Sequence, residues 1–227
     1  MQATSALYKQ ILANPQHYSE IKINIAGVDY PQERIVSIRT SGGLFSEETL
    51  SAGGAVAGEI DLTLYKPDAI PKMAKLIPYY RLVAGEQVSE WIQKGVYYID
   101  TREPDGDALV IHGFDDMLKS EQIWTPDQSL EFPMPMTQAV DVIANIMGVE
   151  IDARTVLNSA YTVDYPANDY TLRDVLRFIA AAHGGNWIMS DVGKLRLIKL
   201  GELADETNYL IDESGDWITF GGDRILV

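Results

Sequence analysis

The hydrophobic period of this sequence changes once along the chain, and that change constrains the fold more than any single motif. Over residues 20–114 apolar side chains recur at every second position, as in Ile21, Ile23 and Ile25, which is the period of half-buried strands. From Asp115 onward the period becomes helical. Strands followed by a helical region indicate a mixed α+β protein.

The strand region divides into short alternating segments that are connected by turns. Its last two segments are joined by residues 103–107, whose Pro, Asp and Gly are turn residues, and Gly95 indicates a bulge inside the segment 91–100. This pattern is typical of a small antiparallel barrel or sandwich, and we predict a small antiparallel β-barrel over residues 19–114. The predicted strands are 20–27, 35–40, 59–65, 80–84, 91–100 and 109–114.

Two segments depart from the strand pattern. Residues 1–18 form a predicted helical segment, in which Leu7 and Ile11 are one helical turn apart and Pro15 ends the pattern. Residues 41–58 form a long connection that is rich in glycine, serine and alanine. Because such a segment buries too little apolar surface to offset its ordering entropy, we expect a poorly packed or partner-ordered loop outside the core of the monomer.

Residues 115–194 are predicted to form an α/β insert domain. Thr171 and Asp174 have the spacing of a capping box at the start of an amphipathic helix. A second predicted helix lies before it, over residues 137–147, and a predicted hairpin over residues 186–200 follows it. The apolar stripe of the capped helix consists of Leu172, Val175, Leu176, Ile179 and Ala180.

The last part of the chain, residues 195–227, returns to a strand pattern. We predict that these residues are strands of a second barrel that is incomplete. The sequence stops inside the apolar run Arg224–Val227, and an unpaired apolar strand promotes aggregation. Two explanations stay open: this strand pairs elsewhere, or the chain is the front part of a longer protein.

Composition and charge exclude several classes of function. The 227 residues contain 18 Lys and Arg against 33 Asp and Glu, and the resulting net charge of −15 disfavours nucleic acid as an ordinary ligand. The chain has no cysteine, which excludes disulfides, thiolate-bound metals and thiol catalysis. No apolar run has the length of a membrane helix, and the first residues lack a secretory pattern, so we expect no membrane association.

Catalytic and metal-binding motifs are missing from the sequence. It contains no phosphate-binding Gly-Lys-Ser/Thr, no Gly-x-Ser-x-Gly and no His-Glu-x-x-His. His17, His112 and His183 lie far apart, and Asp105 and Asp107 flank a glycine as turn residues do. We therefore predict a protein that is not an enzyme, with no catalytic residues, no cofactor and no metal ion.

Aromatic residues on neighbouring predicted strands keep a binding function open. Their rings are suited to stacking on sugars, although cross-strand packing in a core or an interface is the commoner use. One alternative is therefore a carbohydrate- or cell-wall-binding module. Another is the non-catalytic first part of a wall-degrading enzyme, with its catalytic domain beyond residue 227. The aromatic residues are Tyr79, Tyr80, Trp91, Tyr97 and Tyr98.

Several stretches of the chain resemble one family of phage proteins. Residues 170–188 read YTLRDVLRFIAAAHGGNWI, and residues 193–197 read GKLRL. This run is similar to the insert of baseplate hub and tail-associated proteins from phages of Gram-positive hosts. The opening residues 8–12 (YKQIL) and the strand 20–27 (EIKINIAG) resemble the first residues of the same proteins.

The resemblance implies a structural role in the tail of a phage or prophage. In baseplate hubs, two related barrels flank an α/β insert, and three subunits form a pseudo-sixfold ring between the tail tube and the tip. The expected partners are two further copies of the chain, a tail tube or distal tail protein, and a spike or fibre. DNA would pass the acidic lumen without specific binding. The expected location is the virion tail, after assembly in the host cytoplasm.

The resemblance and the net charge together predict which surfaces assemble. Since like subunits repel one another, contacts between them should bury apolar side chains that lack an evident partner in their own chain. The N-terminal helix, the long loop and the end of the chain contain such residues. The candidate interface residues are Tyr8, Ile11, Leu12, Leu44, Phe45, Ile225 and Leu226.

Overall fold

The computed structural model describes residues 4–42, 44, 51–125, 130–166 and 169–201, and the backbone of 219–220 and 223–224. It is a mixed α+β structure that consists mostly of sheet. Its first region contains one α-helix, one 3-10 helix (Gln32–Arg34) and ten strands. In chain order they are α1 (Ala6–Leu12), β1 (Tyr18–Ile25), β2 (Val28–Pro31), β3 (Ile35–Ser41), β4 (Gly54–Ala55), β5 (Glu59–Tyr65), β6 (Lys75–Ala84), β7 (Gln87–Val88), β8 (Ile92–Gln93), β9 (Tyr97–Asp105) and β10 (Ala108–Asp115).

One antiparallel sheet, which we call the large sheet, contains all of these strands except β4. Its order is β2-β1-β6-β9-β10-β5-β3, and β7 and β8 also pair with β6. Gly113 lies at a register shift between β10 and β9, where a Cβ would come 2.5 Å from the Tyr98 carbonyl oxygen. The large antiparallel sheet agrees with the sequence prediction. A closed barrel is not observed, because β2 and β3 have no pairing that joins them in the described residues.

The N-terminal helix α1 is attached to the large sheet of its own chain. Ile11 is fully buried, and Tyr8 is 9% exposed; both belong to a buried cluster that includes Leu82 and Ile92. The Tyr8 and Tyr80 hydroxyl oxygens are 2.7 Å apart and share a hydrogen bond. The expectation that this helix has no partner within its own chain is therefore wrong.

The second region contains two α-helices and a 3-10 helix (Asp116–Glu121). Its elements are β11 (Met134–Pro135), α2 (Met136–Met147), β12 (Thr162–Val163), α3 (Leu172–Ala182), β13 (Gly185–Met189) and β14 (Leu195–Lys199). The predicted capping box of α3 is confirmed, since Thr171 and Asp174 each accept a backbone N–H of the other. Helix α2 ends at Gly148, whose φ of 68° is left-handed and suits glycine.

A three-stranded sheet, which we call the small sheet, has the order β14-β13-β4. Strands β13 and β14 form the predicted hairpin, in which Ile188 pairs with Arg196. Strand β4 comes from the long connection between β3 and β5 and runs parallel to β13. Both of its residues are buried, as is Gly58, so residues 54–58 belong to the core of the monomer. The expectation of a loop outside the core is wrong for this half; residues 43 and 45–50 lie outside the described residues.

The core of the second region is formed by helices α2 and α3 against one face of the small sheet. The predicted apolar stripe of α3 is buried there, and Leu176 is fully buried. Trp187 from β13 is also fully buried, and its indole N–H donates to the Leu176 carbonyl at 2.8 Å. Burial of this tryptophan with its donor satisfied contributes both apolar surface and a hydrogen bond.

The final strands of the chain are described only in part. Strands β15 (Thr219–Phe220) and β16 (Asp223–Arg224) pair with each other. Strand β14, which we expected in a second barrel, pairs with β13 instead and completes the small sheet. Within the residues that the structure describes, no helix is both long and apolar enough to cross a membrane.

Candidate functional site

The two sheets meet where the turn between β13 and β14 lies against the loop between β8 and β9. The Asp191 carbonyl accepts from the Gly95 backbone N–H at 3.1 Å and from the Gln93 side chain at 2.8 Å. The turn lies so close to the Val96 side chain that a Cβ at Gly193 would be 3.0 Å from it. Gly193 also has a φ of +76°, so this position needs glycine for two reasons.

The connection from β3 to β5 attaches the two regions a second time. Its Gly53 N–H donates to the Gly185 carbonyl at 2.9 Å. Its Gly54 N–H donates to Asn186 Oδ1 at 2.6 Å, and the Asn186 amide donates to the Ser51 carbonyl at 2.8 Å. Asn186 is fully buried, so one amide side chain satisfies both backbone groups of this crossing segment.

A cleft of about 390 Å³, which we call the junction cleft, lies between these two attachments. Its walls come from both regions of the molecule: the ends of the long connection, the start of β9, and the face of the small sheet that is turned away from the helices. Among its lining residues are Thr40, Leu44, Gly58, Lys94, Tyr97, Asp115, Arg154, Ile188, Asp191 and Arg196.

Asp115 is the buried acidic group of the junction cleft. Only 8% exposed, it accepts the Gly58 N–H at 2.8 Å and the Met117 N–H at 2.9 Å, one on each carboxylate oxygen. Burial raises the pKa of Asp115 to about 6, although both hydrogen bonds oppose that rise. A Cβ at Gly58 would lie 2.7 Å from this carboxylate. Asp115 was not predicted from the sequence as a site residue. Its two hydrogen bonds attach the end of the long connection to the second region.

Tyr97 and Asp152 are the other residues at this junction with strongly shifted pKa values. Burial raises the pKa of Tyr97 to about 12, and its hydroxyl donates to the Lys94 carbonyl at 3.2 Å. Hydrogen bonds from the Arg154 guanidinium, at 2.5 and 2.8 Å, lower the pKa of the Asp152 carboxylate well below its usual range. Asp152 is buried, so this ion pair compensates a charge that burial would otherwise disfavour.

The histidines and the acidic turn residues have structural partners outside the junction cleft. His112 Nδ1 lies 2.8 Å from Asp61, and His183 Nε2 accepts the Asn158 N–H at 2.9 Å. Asp107 lies 3.4 Å from the Lys66 ammonium. Within the described residues no group of three or more His, Cys, Asp or Glu side chains has a geometry that could hold a metal ion.

The aromatic set predicted as an alternative sugar platform is engaged within the chain. Trp91 has the Arg81 guanidinium 4.4 Å and the Lys22 ammonium 5.1 Å from its ring centroid. Tyr97 is buried at 7% exposure, and Tyr80 contacts the N-terminal helix through its hydroxyl. Because cations and core contacts occupy these rings, they do not form an open stacking surface.

The predicted interface residues have different positions in the structure. Tyr8 and Ile11 contact the large sheet, whereas Leu12 is 51% exposed. Leu44 is half-buried and lines the junction cleft. Phe45, Ile225 and Leu226 lie outside the described residues. A role in assembly stays a prediction for Leu12 and for these last four residues.

Two solved structures are similar to this chain. One is the 43 kDa tail protein of prophage MuSo2 from Shewanella oneidensis, with a TM-score of 0.50 and 15% identity over 80% of this chain and 56% of the other. The other is a tail protein from Neisseria meningitidis MC58, with a TM-score of 0.50 and 15% identity over 88% of this chain and 53% of the other.

These similarities establish the fold. The chain spans a little more than half the length of either tail protein. Neither of them gives support to the Gram-positive host that the sequence resemblance implied. The sequence matches no model of a known protein family and no curated protein.

Proposed function

We propose that this chain is a structural component of a phage or prophage tail, which acts by assembly and not by catalysis. The observation that carries the proposal is the shared fold with two tail proteins, which extends over 80% and 88% of this chain. The site geometry agrees with it, because the buried polar groups between the two sheets attach one region to the other. Asp115 and Asn186 are both used in this way.

The finer proposal is a baseplate hub subunit. Copies of the chain would form a trimeric ring between the tail tube, or a distal tail protein, and the spike or fibre. Strands β2 and β3 support this arrangement, since they are the two ends of the large sheet and their outer edges pair with no other strand of the described residues. The net charge of −15 suits a ring through which DNA slides without binding.

Deletion of the gene from the phage or prophage tests the structural role. Particles produced without the protein should lack complete tails in electron micrographs, and supplying the gene on a plasmid should restore them. Complete, infectious tails in the deletion strain would contradict the proposal.

Light scattering of the purified chain tests the ring separately. The hub proposal predicts a trimer or a multiple of it, formed by the chain alone or with its tail partners. A chain that stays monomeric in both samples would rule out the ring, while the structural tail role would still stand on the deletion result.

A further inference from the structure

Two cations in the junction cleft have no acidic partner among the residues that the structure describes, although the chain has a large surplus of acidic residues. Most of the basic side chains around this junction are paired: Arg154 with Asp152 at 2.5 Å and Lys194 with Glu150 at 2.7 Å. Arg196 and Lys94 form no ion pair and no side-chain hydrogen bond within the described residues. In a protein with 33 acidic and 18 basic side chains, unpaired cations that share a cleft indicate a place for an external anion.

Arg196 is held at the base of the junction cleft by the small sheet. Its neighbours Leu195 and Leu197 are buried in the core, so strand alternation turns Arg196 to the opposite face, beside Ile188. The side chain is half-buried, and its Nε atom is buried without a hydrogen-bond acceptor among the described residues. A buried guanidinium without an acceptor is costly, and a bound anion would offset that cost.

The nearby acidic groups do not supply this acceptor. The Asp152 carboxylate is close enough for Arg196 to lower its pKa, but its two oxygens accept hydrogen bonds from Arg154. The Asp115 carboxylate accepts two backbone N–H groups. Asp191 lines the same cleft, and its charge raises the pKa values of Arg154 and Tyr97. It does not accept a hydrogen bond from Arg196 Nε.

These same acidic groups limit the charge of the group that enters the cleft. Asp115 and Asp191 would repel the two charges that a phosphate dianion carries on one group more strongly than the single charge of one carboxylate group. A guanidinium also presents two parallel N–H groups, which match the two oxygens of a carboxylate. Lys94 also lines the cleft, from the loop between β8 and β9, and is its second positive charge; the ammonium of this exposed side chain is 5.2 Å from the Tyr80 ring centroid.

We propose that the junction cleft binds a carboxylate group through Arg196, with Lys94 as the second cation. The carboxylate comes either from a free small molecule or from an acidic side chain of a second copy of this chain. The cleft, of about 390 Å³, has room for either. The inference does not depend on the proposed tail function, because it rests only on the cations and the cleft.

Sodium succinate added to the full chain tests the site, with the arginine Nε–H signals followed by NMR at constant ionic strength. One signal, assigned to Arg196 by its loss in Arg196→Lys, should shift and saturate. Lys94→Gln, which changes an exposed side chain, should weaken succinate binding roughly tenfold, as expected for loss of one charge-assisted contact. Lys72→Gln removes an exposed cation outside the cleft and should bind as the wild type does.

Two results would overturn the proposal. One is an Arg196 signal that moves equally in sodium chloride. The other is an unchanged succinate affinity in both Lys94→Gln and Arg196→Lys, measured by titration calorimetry because the second variant lacks the Arg196 signal.

Dilution without succinate distinguishes the two sources of the carboxylate. If the second copy supplies it, the Arg196 signal and the mass by light scattering change together with protein concentration, and succinate dissociates the complex. If a free carboxylate is the ligand, neither changes on dilution and succinate still saturates the site.

Discussion

The large sheet and the small sheet differ in how far apart in sequence their paired strands lie. In the large sheet, β9 and β10 are neighbours in the chain and meet at a tight turn, with Asp105 opposite Ala108. In the small sheet, β4 pairs with β13, and the Gly54–Asn186 hydrogen bond spans 132 residues. A pairing between strands so far apart in sequence closes a long loop. It becomes favourable only when the surrounding core has formed, and no local sequence pattern indicates it.

The second region does not complete its sheet with its own strands. Its sheet needs β4, which belongs to a connection within the first region. The two regions therefore share residues 51–58, which we call the shared segment. A substitution in either core should affect the other region through the hydrogen bonds of Gly53, Gly54 and Asn186.

The largest effect is expected in the core of the second region. Leu176→Ala should destabilise the protein by about 2–5 kcal/mol, because Leu176 is fully buried between α3 and the small sheet. Phe178→Ala is the matched control on the same helix, since Phe178 is 55% exposed and its loss should change stability by less than about 1 kcal/mol. Urea unfolding measures both; similar losses in the two variants would contradict the assigned face of α3.

The core beneath α1 should be less costly to disturb. Ile11→Ala is expected to cost about 2 kcal/mol, at the low end for a buried isoleucine, because only a small cluster covers it. Leu12→Ala, at a position that is 51% exposed, should leave the unfolding free energy nearly unchanged. If Leu12 is part of a subunit interface, its alanine variant should still lose self-association in light scattering. Equal unfolding free energies of the two variants would contradict the burial of Ile11 beneath α1.

The shared segment can be broken at Asn186. Asn186→Ala leaves the Gly54 N–H and the Ser51 carbonyl without their side-chain partner, which should cost about 1–3 kcal/mol. The same variant should be cleaved within residues 51–58 earlier than the wild type in limited proteolysis. Asn145→Ala, at an exposed position on α2, is the control and should behave like the wild type in both assays.

The smallest effect is a pH dependence that arises from Asp115. Its pKa is about 6 in the folded protein and about 3.8 without the fold, so the folded state binds the proton more tightly. The contribution of this group to stability is therefore fully present below pH 4 and is lost as the pH rises through 6. Between pH 7 and pH 5 the wild type should gain about 1 kcal/mol from this group.

Asp115→Asn should remove that gain. The difference between wild type and variant, measured by urea unfolding at both pH values, isolates Asp115 from the other carboxylates. Asp100→Asn, at an exposed position, is the control for a lost charge. A difference that does not change with pH would show that Asp115 titrates normally.

The parts of the fold that rest on local sequence could be predicted. Helix α3 carries its own capping box and apolar stripe, and the β13–β14 hairpin has its turn residues in the sequence. Strand β4 could not be predicted, because its two residues, Gly54 and Ala55, are too few to show a hydrophobic period. The burial of Ile11 was missed for another reason: its spacing indicates an apolar face but not which surface covers that face.

The junction cleft was not predictable from local patterns. Its residues come from five separate stretches of the chain, which the pairing of β4 with β13 and the hydrogen bond from Gly95 to Asp191 bring together. Asp115 has the ordinary sequence signature of a helix cap, and it does accept the Met117 N–H. Its second bond, to the Gly58 N–H, depends on the path of the long connection and has no signal in the sequence.

Hydrogen exchange at the amides of Gly53 and Gly54 tests most directly whether the two regions share this segment. Both amides donate within the small sheet, at 2.9 and 2.6 Å. We expect them to be protected to the same degree as the Trp187 amide, and Asn186→Ala to reduce the protection of Gly54 first. Exchange as fast as that of Gly85 in an exposed turn would contradict the account, because the long connection would then lie outside the core.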